Sequence, residues 1–274
     1  MPSRAKRNRS NVRKGAQVDL ELSGKTALVT AASRGIGRAV AYRLAKEGMT
    51  VVAGARSADR QEEEHGGGRI LPLFSDLADK SATEKLVGDV VSAHGRLDVL
   101  VINTPGPKIM PVLSTSWDDW AAAHELLLRP VVQLALAGAA QMREQGGGTI
   151  VLLSSTWVRQ PAPGGVLSSS YRSAASLMLK TLSREVAGDG VRVLQVMPGA
   201  TSTERMQNIV SAKAEAHGSS AEAEIADIVA AIPLGRWAEP EEIADVVAFA
   251  ASPRASFMTG SILTVDGGAV AAAN

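Results

Sequence analysis

The sequence predicts an α/β fold in which a doubly wound parallel sheet of about seven strands forms a single domain flanked by helices. Three observations predict it: the length of the chain, the alternation of short apolar runs with amphipathic stretches, and a glycine-containing turn between the first strand and the first helix. A chain of 274 residues, 45% hydrophobic and 21% charged, can bury one substantial core. We therefore expect one domain over residues 21–274, preceded by a basic tail over residues 1–20.

The first half of the chain alternates predicted strands and helices, as a parallel sheet requires. The strands are expected at Thr26–Thr30, 50–54, 70–74 and 97–102, and the helices between them at 36–47 and 81–93. The stretch 62–68, EEEHGGG, is predicted to be a turn.

The second half continues the same order with a longer insertion near its end. We expect a long helix at 117–145, a strand at 149–153, a helix at 168–187, a strand at 191–196, a helix at 239–250 and a last strand at 261–265. The alanine-rich, polar segment 203–232 interrupts this order, and we expect it to form a lid over the site.

Six positive charges lie within the first 14 residues, at Arg4, Lys6, Arg7, Arg9, Arg13 and Lys14. The whole chain has a net charge of +1, so six positive charges in the tail leave −5 for the remainder. The tail has no aromatic residue or apolar periodicity, and we expect a solvated extension. Non-specific contact with nucleic acid is the alternative; we do not expect it, because the acidic remainder offers no continuing basic face.

The absence of cysteine excludes disulfides and cysteine-ligated metals, and we expect no metal site. No window has the ~18 consecutive apolar residues of a membrane span, and the first residues lack the apolar core of a signal peptide. We therefore expect a soluble cytoplasmic protein.

The turn at 30–37, TAASRGIG, follows the first predicted strand and leads directly into a helix. A helix N-terminus with small residues offers free backbone N–H groups and a positive dipole end to a phosphate. Gly35 and Gly37 permit tight turning, whereas Ala31 stands where glycine is usual and adds a methyl group. We predict that this turn binds a pyrophosphate through Ala31, Ser33, Arg34, Gly35, Ile36 and Gly37.

This turn resembles the TGxxxGIG fingerprint of the short-chain dehydrogenase/reductase family, whose members have a Rossmann-type fold and bind a nicotinamide dinucleotide. The resemblance extends to the C-terminus through 234–252, LGRWAEPEEIADVVAFAAS, and 259–268, TGSILTVDGG. It implies further cofactor contacts. Asp76 and Leu77 resemble the adenine-contacting pair, Asn103, Thr104, Pro105 and Gly106 resemble the NNAG turn, and Pro198, Gly199 and Thr203 resemble the element that holds the nicotinamide carboxamide.

The residues after the second strand favour NADP(H) over NAD(H). That strand ends in Gly54-Ala55-Arg56, without the carboxylate that would accept the adenine ribose hydroxyls and repel a 2′-phosphate. Arg34 and Arg56 offer fork-shaped cationic donors that suit this phosphate.

The catalytic positions depart from the family pattern of an Asn, a Ser and a YxxxK motif. Ser155 resembles the family serine, and the tyrosine that commonly follows it by 13 positions would fall on Ser168. Counting back from 180–187, KTLSREVA, gives the same register, which places Arg172 at the lysine position. A separate count from Trp120 into the preceding helix places Leu127 at the asparagine position. The chain is therefore expected to be a divergent member that lacks YxxxK.

An aliphatic alcohol has no ionisation near neutral pH, so Ser168 cannot simply replace a tyrosine as proton donor. Tyr171 lies three residues along the same predicted helix and is the candidate donor, with Arg172 beside it to lower its pKa or to orient the cofactor ribose. Packing, or lining of the pocket, is the alternative role for Tyr171.

Three functions remain open on the sequence. The first is an NADP(H)-dependent oxidoreductase that acts on a carbonyl or alcohol with altered acid–base residues. The second is a non-redox dehydratase, isomerase or cyclase on the same scaffold, and the third is a catalytically inactive nucleotide-binding protein. The family resemblance also implies a small-molecule substrate and a homodimer or homotetramer.

Overall fold

The computed structural model describes residues 18–57 and 61–272, apart from the side chain of Ala216. An eight-stranded sheet lies at its centre, in the order β3-β4-β2-β1-β5-β6-β7-β8. The strands are Thr26–Thr30 (β1), Thr50–Ala55 (β2), Glu63–His65 (β3), Gly68–Phe74 (β4), Val99–Ile102 (β5), Gly148–Leu153 (β6), Val191–Pro198 (β7) and Ile262–Val265 (β8). The predicted α/β fold with a mostly parallel sheet is confirmed.

Helices cover both faces of this sheet. They are Gly35–Lys46 (α1), Lys80–His94 (α2), Trp117–Leu127 (α3), Arg129–Glu144 (α4), Val166–Glu185 (α5), Glu204–His217 (α6), Ala221–Ala230 (α7) and Pro240–Ala251 (α8). Apolar residues of α1 and α8 form the core on one face, and those of α2, α4 and α5 form the core on the other. The carboxyl ends of the parallel strands therefore meet at one open edge, where ligands bind in folds of this kind.

The described residues form eight strands, one more than the seven that the sequence predicted. Seven strands are parallel, but Glu63–His65 adds an antiparallel edge strand in the stretch predicted to be only a turn. Gly66 and Gly67, both with positive φ, turn the chain between β3 and β4. A three-residue polar strand carries no apolar alternation, so its pairing could not be recognised from the pattern.

The single long helix predicted over 117–145 was also wrong, because the chain forms α3 and α4 with a break at Leu128. Pro130 lies in the first turn of α4, and its ring nitrogen cannot donate to the carbonyl four residues earlier. After the break, α3 packs chiefly against α5 and α4 packs chiefly against α2.

The start of the described chain packs onto the body of the domain. Leu20 and Leu22 are buried, and Arg254 donates to the Asp19 carbonyl at 2.8 Å and forms an ion pair with Glu21. The charges predicted for the basic tail lie outside the described residues. In the part of the chain that the structure describes, no helix has the length and apolarity to cross a membrane.

Candidate cofactor-binding and active site

Two of the predicted motifs meet where β1 and β5 end. The Thr30 hydroxyl donates to the Asn103 carbonyl at 2.7 Å and accepts from the Asn103 backbone N–H at 2.9 Å. The Asn103 side chain donates to the Ala31 carbonyl at 3.3 Å. The turn that follows β1 is therefore held in place by the residue that follows β5.

Gly37 lies at the closest approach between this turn and α1. A Cβ on Gly37 would lie 2.4 Å from the Ala31 carbonyl oxygen and 2.8 Å from Nδ2 of Asn103. No side chain fits there without moving backbone, so the turn depends on glycine at this position.

Ala31 differs from the usual glycine in backbone energy as well as in its added methyl group. Its φ of 48° lies in the left-handed region, which costs an alanine roughly 1–2 kcal/mol relative to the right-handed conformation. The turn keeps this conformation although the residue disfavours it, because bonds to Asn103 and the close contact with Gly37 fix the backbone on both sides.

The N-terminus of α1 has no side-chain cap, which it shares with α5 but not with α2 and α3. Arg34, the N-cap residue of α1, makes no side-chain capping hydrogen bond, whereas Asp79 caps α2 and Ser116 caps α3. The first backbone N–H groups of a helix have no partner within the helix. At α1 they are left for a ligand, and an anion such as a pyrophosphate suits them.

The arginine expected to hold a 2′-phosphate has a protein partner in this structure. Arg34 donates to both carboxylate oxygens of Glu204 at 2.7 Å, and both side chains are exposed. Thr203 lies against the turn as well, with its Cγ2 3.3 Å from the position of a Cβ on Gly35. Arg56 is exposed just beyond the end of β2.

On the adenine side, the predicted residues follow β4. The Asp76 carboxylate accepts from the Ala78 backbone N–H at 3.0 Å, and the Leu77 side chain packs in the core. Ser75, which the sequence analysis missed, has a buried hydroxyl with no hydrogen-bond partner in the described structure. It faces Gly54 at the end of β2, where a Cβ would lie 3.2 Å from the hydroxyl.

The predicted nicotinamide element follows β7. Pro198 ends that strand, and the Gly199 backbone N–H donates to Val265 of β8 at 2.9 Å. Thr203 caps α6 by accepting from the Met206 backbone N–H at 3.3 Å. The segment 203–232, expected to be a lid, consists of the helices α6 and α7 and begins directly over the turn.

Ser155 follows β6 at the same edge. Its hydroxyl accepts from the Trp157 backbone N–H at 3.3 Å, which leaves the hydroxyl proton available to a ligand. The neighbouring Ser154 hydroxyl and the Thr104 hydroxyl after β5 are buried and have no partner in the described part of the chain. Unsatisfied buried hydroxyls at the ends of adjacent strands are what a bound polar ligand would satisfy.

Ser168 and Arg172 share one face of α5, as their spacing of four residues requires. Both are buried, with 6% and 9% of their surface exposed. The Arg172 guanidinium donates to the Leu153 carbonyl at the end of β6 at 3.1 Å. Burial and the nearby charge of Arg205 lower the pKa of Arg172 to about 10.

Tyr171 points its ring towards α3 instead. The ring makes edge contacts with Trp120, at a centroid distance of 5.9 Å, and with His124, at 5.8 Å. The His124 ring is held by the Glu125 carboxylate at 2.9 Å. Leu127, predicted to stand at the family asparagine position, is buried in the same helix.

A sequence model described as enoyl-(acyl carrier protein) reductase matches residues 30–270, nearly the whole described domain. The chain belongs to the short-chain dehydrogenase/reductase family. A 3-oxoacyl-[acyl-carrier-protein] reductase of Thermotoga maritima is 31% identical over 92% of this chain and 100% of its own length. A 3alpha-hydroxysteroid dehydrogenase of Mediterraneibacter gnavus is 31% identical over 90% of this chain and 98% of its own length.

Solved structures of related reductases have the same fold. L-sorbose reductase from Gluconobacter frateurii, complexed with NADPH and L-sorbose, superposes with a TM-score of 0.86 at 30% identity, covering 93% of this chain and all of that one. A 7α-hydroxysteroid dehydrogenase complexed with NADH and 7-oxo glycochenodeoxycholic acid superposes with a TM-score of 0.81 at 27% identity, covering 93% of this chain and 98% of that one. These relatives are oxidoreductases, and they bind either nicotinamide dinucleotide.

Two charged residues of this reductase-family chain were missed by sequence reasoning. Glu204 and Arg205 lie in the first turn of α6, in a segment assigned only to a lid. Arg205 donates to the Pro107 carbonyl at 3.0 Å, and a Cβ on Gly106 would lie 1.9 Å from its Cζ. The one available signal was the charged pair directly after the Thr203 cap in an otherwise alanine-rich stretch.

Proposed function

We propose that this protein is an NADP(H)-dependent oxidoreductase that acts on a carbonyl or alcohol substrate with catalytic residues unlike the family pattern. The observation that carries the proposal is the turn at 30–37, where Gly37 has no room for a side chain and the N-terminus of α1 has no side-chain cap. The unpartnered hydroxyls of Ser75, Thr104 and Ser154 lie at the same edge of the sheet, after β4, β5 and β6. This donor set fits an elongated polar ligand such as a dinucleotide.

The preference for the phosphorylated cofactor rests on charge. No carboxylate follows β2 in the described residues up to Ser57, and the exposed Arg56 follows this strand while the exposed Arg34 precedes α1. The NADPH in L-sorbose reductase supports this choice, while the NADH in the hydroxysteroid dehydrogenase shows that the fold alone does not decide it. Because guanidinium groups pair with phosphate through parallel hydrogen bonds, the two arginines favour NADP(H).

A bound cofactor would supply the hydride for the carbonyl carbon, and the protein must supply a proton to the oxygen. Ser155 donates a hydrogen bond to this oxygen, which polarises the carbonyl and stabilises the developing negative charge. Tyr171 or a water molecule delivers the proton, and Arg172 occupies the position from which the family lysine orients the ribose. Ser168 lines the buried face beside Arg172. The product is the alcohol and the oxidised nucleotide.

Turnover with NADPH and a panel of ketones and aldehydes tests the proposal through the change in nicotinamide absorbance. Ser155→Ala should lower kcat/KM by about 10²–10³-fold, because it removes a donor aimed at the developing oxyanion. Tyr171→Phe should lower it by about 10²–10⁴-fold if the phenol gives the proton and leave it unchanged if water does. Ser170→Ala, an exposed position on the same helix, is the control. The redox proposal is overturned if no carbonyl is reduced.

A non-redox reaction on the same scaffold is the second candidate. The observation that favours it is the pair of positions Leu127 and Ser168, where an apolar core residue and a buried alcohol stand in for the family asparagine and tyrosine. Dehydration or isomerisation would need the cleft but no hydride. Product formation at full rate in nucleotide-free protein, without a change in nicotinamide absorbance, would select this candidate over the first.

Association into a homodimer or homotetramer is part of the proposal, as is a cytoplasmic location. Phe249 is 39% exposed and Phe257 is fully exposed, and both belong to the C-terminal stretch shared with the family. Leu136 on α4 and Leu177 on α5 are exposed as well. Large apolar side chains at the surface favour contact with another subunit. Light scattering on the wild type and on Phe257→Ser would show whether the assembly depends on this surface.

A further inference from the structure

Arg172 is a buried cation without an anionic partner in the described part of the chain. Its surface is 9% exposed, and the Leu153 carbonyl accepts from one of its nitrogens. A guanidinium has five N–H donors, and burying a charge is costly unless an opposite charge and hydrogen bonds compensate for it. The site therefore places a positive charge at the end of β6, with one backbone acceptor among the described residues.

Arg205 brings a second guanidinium to the same edge of the sheet, at the segment that follows β5. It lies directly over the backbone of Gly106 and donates to the Pro107 carbonyl after β5. Like Arg172, it forms no ion pair with a carboxylate within residues 18–57 and 61–272. The residue as a whole is exposed, so a ligand can reach it.

The carbonyls to which the two guanidiniums donate follow neighbouring strands, because β5 and β6 pair through Ile102 and Leu152. Burial and, to a smaller extent, the charge of Arg205 lower the pKa of Arg172, as expected for two cations at one edge of the sheet. Two unpaired cations in one cleft repel each other, and an anion between them would remove the repulsion. The buried, unpartnered hydroxyls of Thr104 and Ser154 follow the same two strands.

The anion is not one of the cofactor's phosphates if the proposed function holds. The N-terminus of α1 would hold the pyrophosphate, and Arg34 and Arg56 would hold the 2′-phosphate. Ser155 and Arg172 would lie at the nicotinamide and its ribose, which carry no negative charge. The negative charge must then come from the substrate.

We infer that Arg172 and Arg205 bind a carboxylate of the substrate, which makes the substrate an oxo acid or hydroxy acid with its carboxylate a few bonds from the reacting carbonyl. Ser155 lies two residues beyond Leu153, whose carbonyl accepts from Arg172, so the serine and the guanidinium both lie at the end of β6. A planar carboxylate matches the parallel donors of a guanidinium, and a second cation fixes its orientation. The inference rests on the proposed function for its assignment to substrate, but the anion site can be measured by itself.

Calorimetry with NADPH-saturated protein tests this inference. The probes are linear oxo acids of three to six carbons and their methyl esters, which differ in charge but retain the carbonyl. We expect at least one acid to bind about 10- to 100-fold more tightly than its ester, as hydrogen bonds to charged groups contribute. Arg205→Gln should remove this preference, and Arg205→Lys should restore part of it. Arg143→Gln, which alters a surface ion pair with Asp189, should leave it unchanged.

The outcomes separate the anion site from the redox proposal. If the protein binds NADPH but binds every acid no more tightly than its ester, the carboxylate site is overturned and the redox proposal stands. Acid binding that depends on Arg205 in protein that binds no nucleotide supports the site and overturns the redox proposal. Inorganic phosphate is the remaining probe; phosphate that binds more tightly than every acid, with the same dependence on Arg205, overturns the assignment to a carboxylate.

Discussion

The nucleotide end and the chemical end of the cleft share one edge of the sheet but are built differently. At the nucleotide end, main-chain packing defines the shape of the turn. Gly37 leaves no room for a Cβ, and the Asn103 side chain donates to the main chain of the turn. At the chemical end, side chains define the site, with Ser168 and Arg172 on one face of α5 and Arg205 reaching across from α6.

This difference fits the proposal that the nucleotide end keeps the family pattern while the catalytic residues depart from it. A backbone cradle tolerates few substitutions, since almost any side chain at its closest contact would displace the main chain. Side chains on a rigid helix can be exchanged without changing the scaffold. The substrate can therefore change while cofactor binding is retained.

The largest effect is expected for Gly37→Ala, which tests whether the nucleotide end depends on backbone packing. The new Cβ would lie 2.4 Å from the Ala31 carbonyl oxygen, so the variant should lose roughly 1–3 kcal/mol of unfolding free energy and its affinity for NADPH. Chemical denaturation and calorimetry measure the two losses. Gly88→Ala, where a Cβ on α2 meets nothing within 4 Å, is the control and should be neutral or stabilising. Normal NADPH binding by Gly37→Ala would contradict the account of the turn.

A smaller effect is expected where side chains supplement the backbone at the nucleotide end. Arg34→Ala should weaken NADPH binding by about 10-fold and leave NADH binding nearly unchanged, because the lost hydrogen bonds go to the 2′-phosphate. Glu204→Gln should tighten NADPH binding by less than about fivefold, since it frees Arg34 from an exposed ion pair. Calorimetry with both nucleotides checks these changes, and equal losses for the two would argue against a phosphate contact.

Ala31→Gly should relieve strain at the turn. The residue has a φ of 48°, but glycine also gains entropy in the unfolded chain, so we expect stabilisation of less than about 1 kcal/mol. Ala32→Gly, at a buried neighbour without positive φ, should destabilise the protein and serves as the control. Thermal unfolding of both variants compares them, and a loss of stability in Ala31→Gly would mean that the turn is not strained.

The smallest effect concerns α8, which packs with α1 on one face of the sheet. Its Glu242 carboxylate pairs with Arg236 and accepts from the Glu239 backbone N–H, and these bonds lower the pKa of Glu242 from 4.5 to about 2. This carboxylate therefore stabilises the fold above about pH 4.5, and its contribution is lost as the pH falls towards 2. Thermal unfolding from neutral to acidic pH should show a shallower decline for Glu242→Gln than for the wild type; parallel curves would exclude this contribution.

The sequence predicted the parallel strands well because each is a short, nearly continuous apolar run, and β1 was assigned to the residue. It missed β3, whose three residues are polar, and the break at Leu128, because the apolar period continued across Pro130. Both errors came from relying on hydrophobic periodicity where edge pairing and proline chemistry determine the structure.

Within the site, positions close in sequence could be placed and distant contacts could not. The register of Ser168 and Arg172 follows from helix spacing, and the structure shows them on one buried face. The contacts of Glu204 with Arg34 and of Arg205 with Pro107 span 170 and 98 residues, and no local pattern encodes them. Those contacts depend on where α6 lies over the edge of the sheet, which is a property of the tertiary fold.

The central claim is that this cleft binds NADP(H), and a titration of the purified protein with NADPH and with NADH tests it most directly. The account predicts micromolar binding of NADPH, weaker binding of NADH, and a loss of about 10-fold in NADPH affinity on Arg56→Ala. Failure of both nucleotides to bind would contradict the claim.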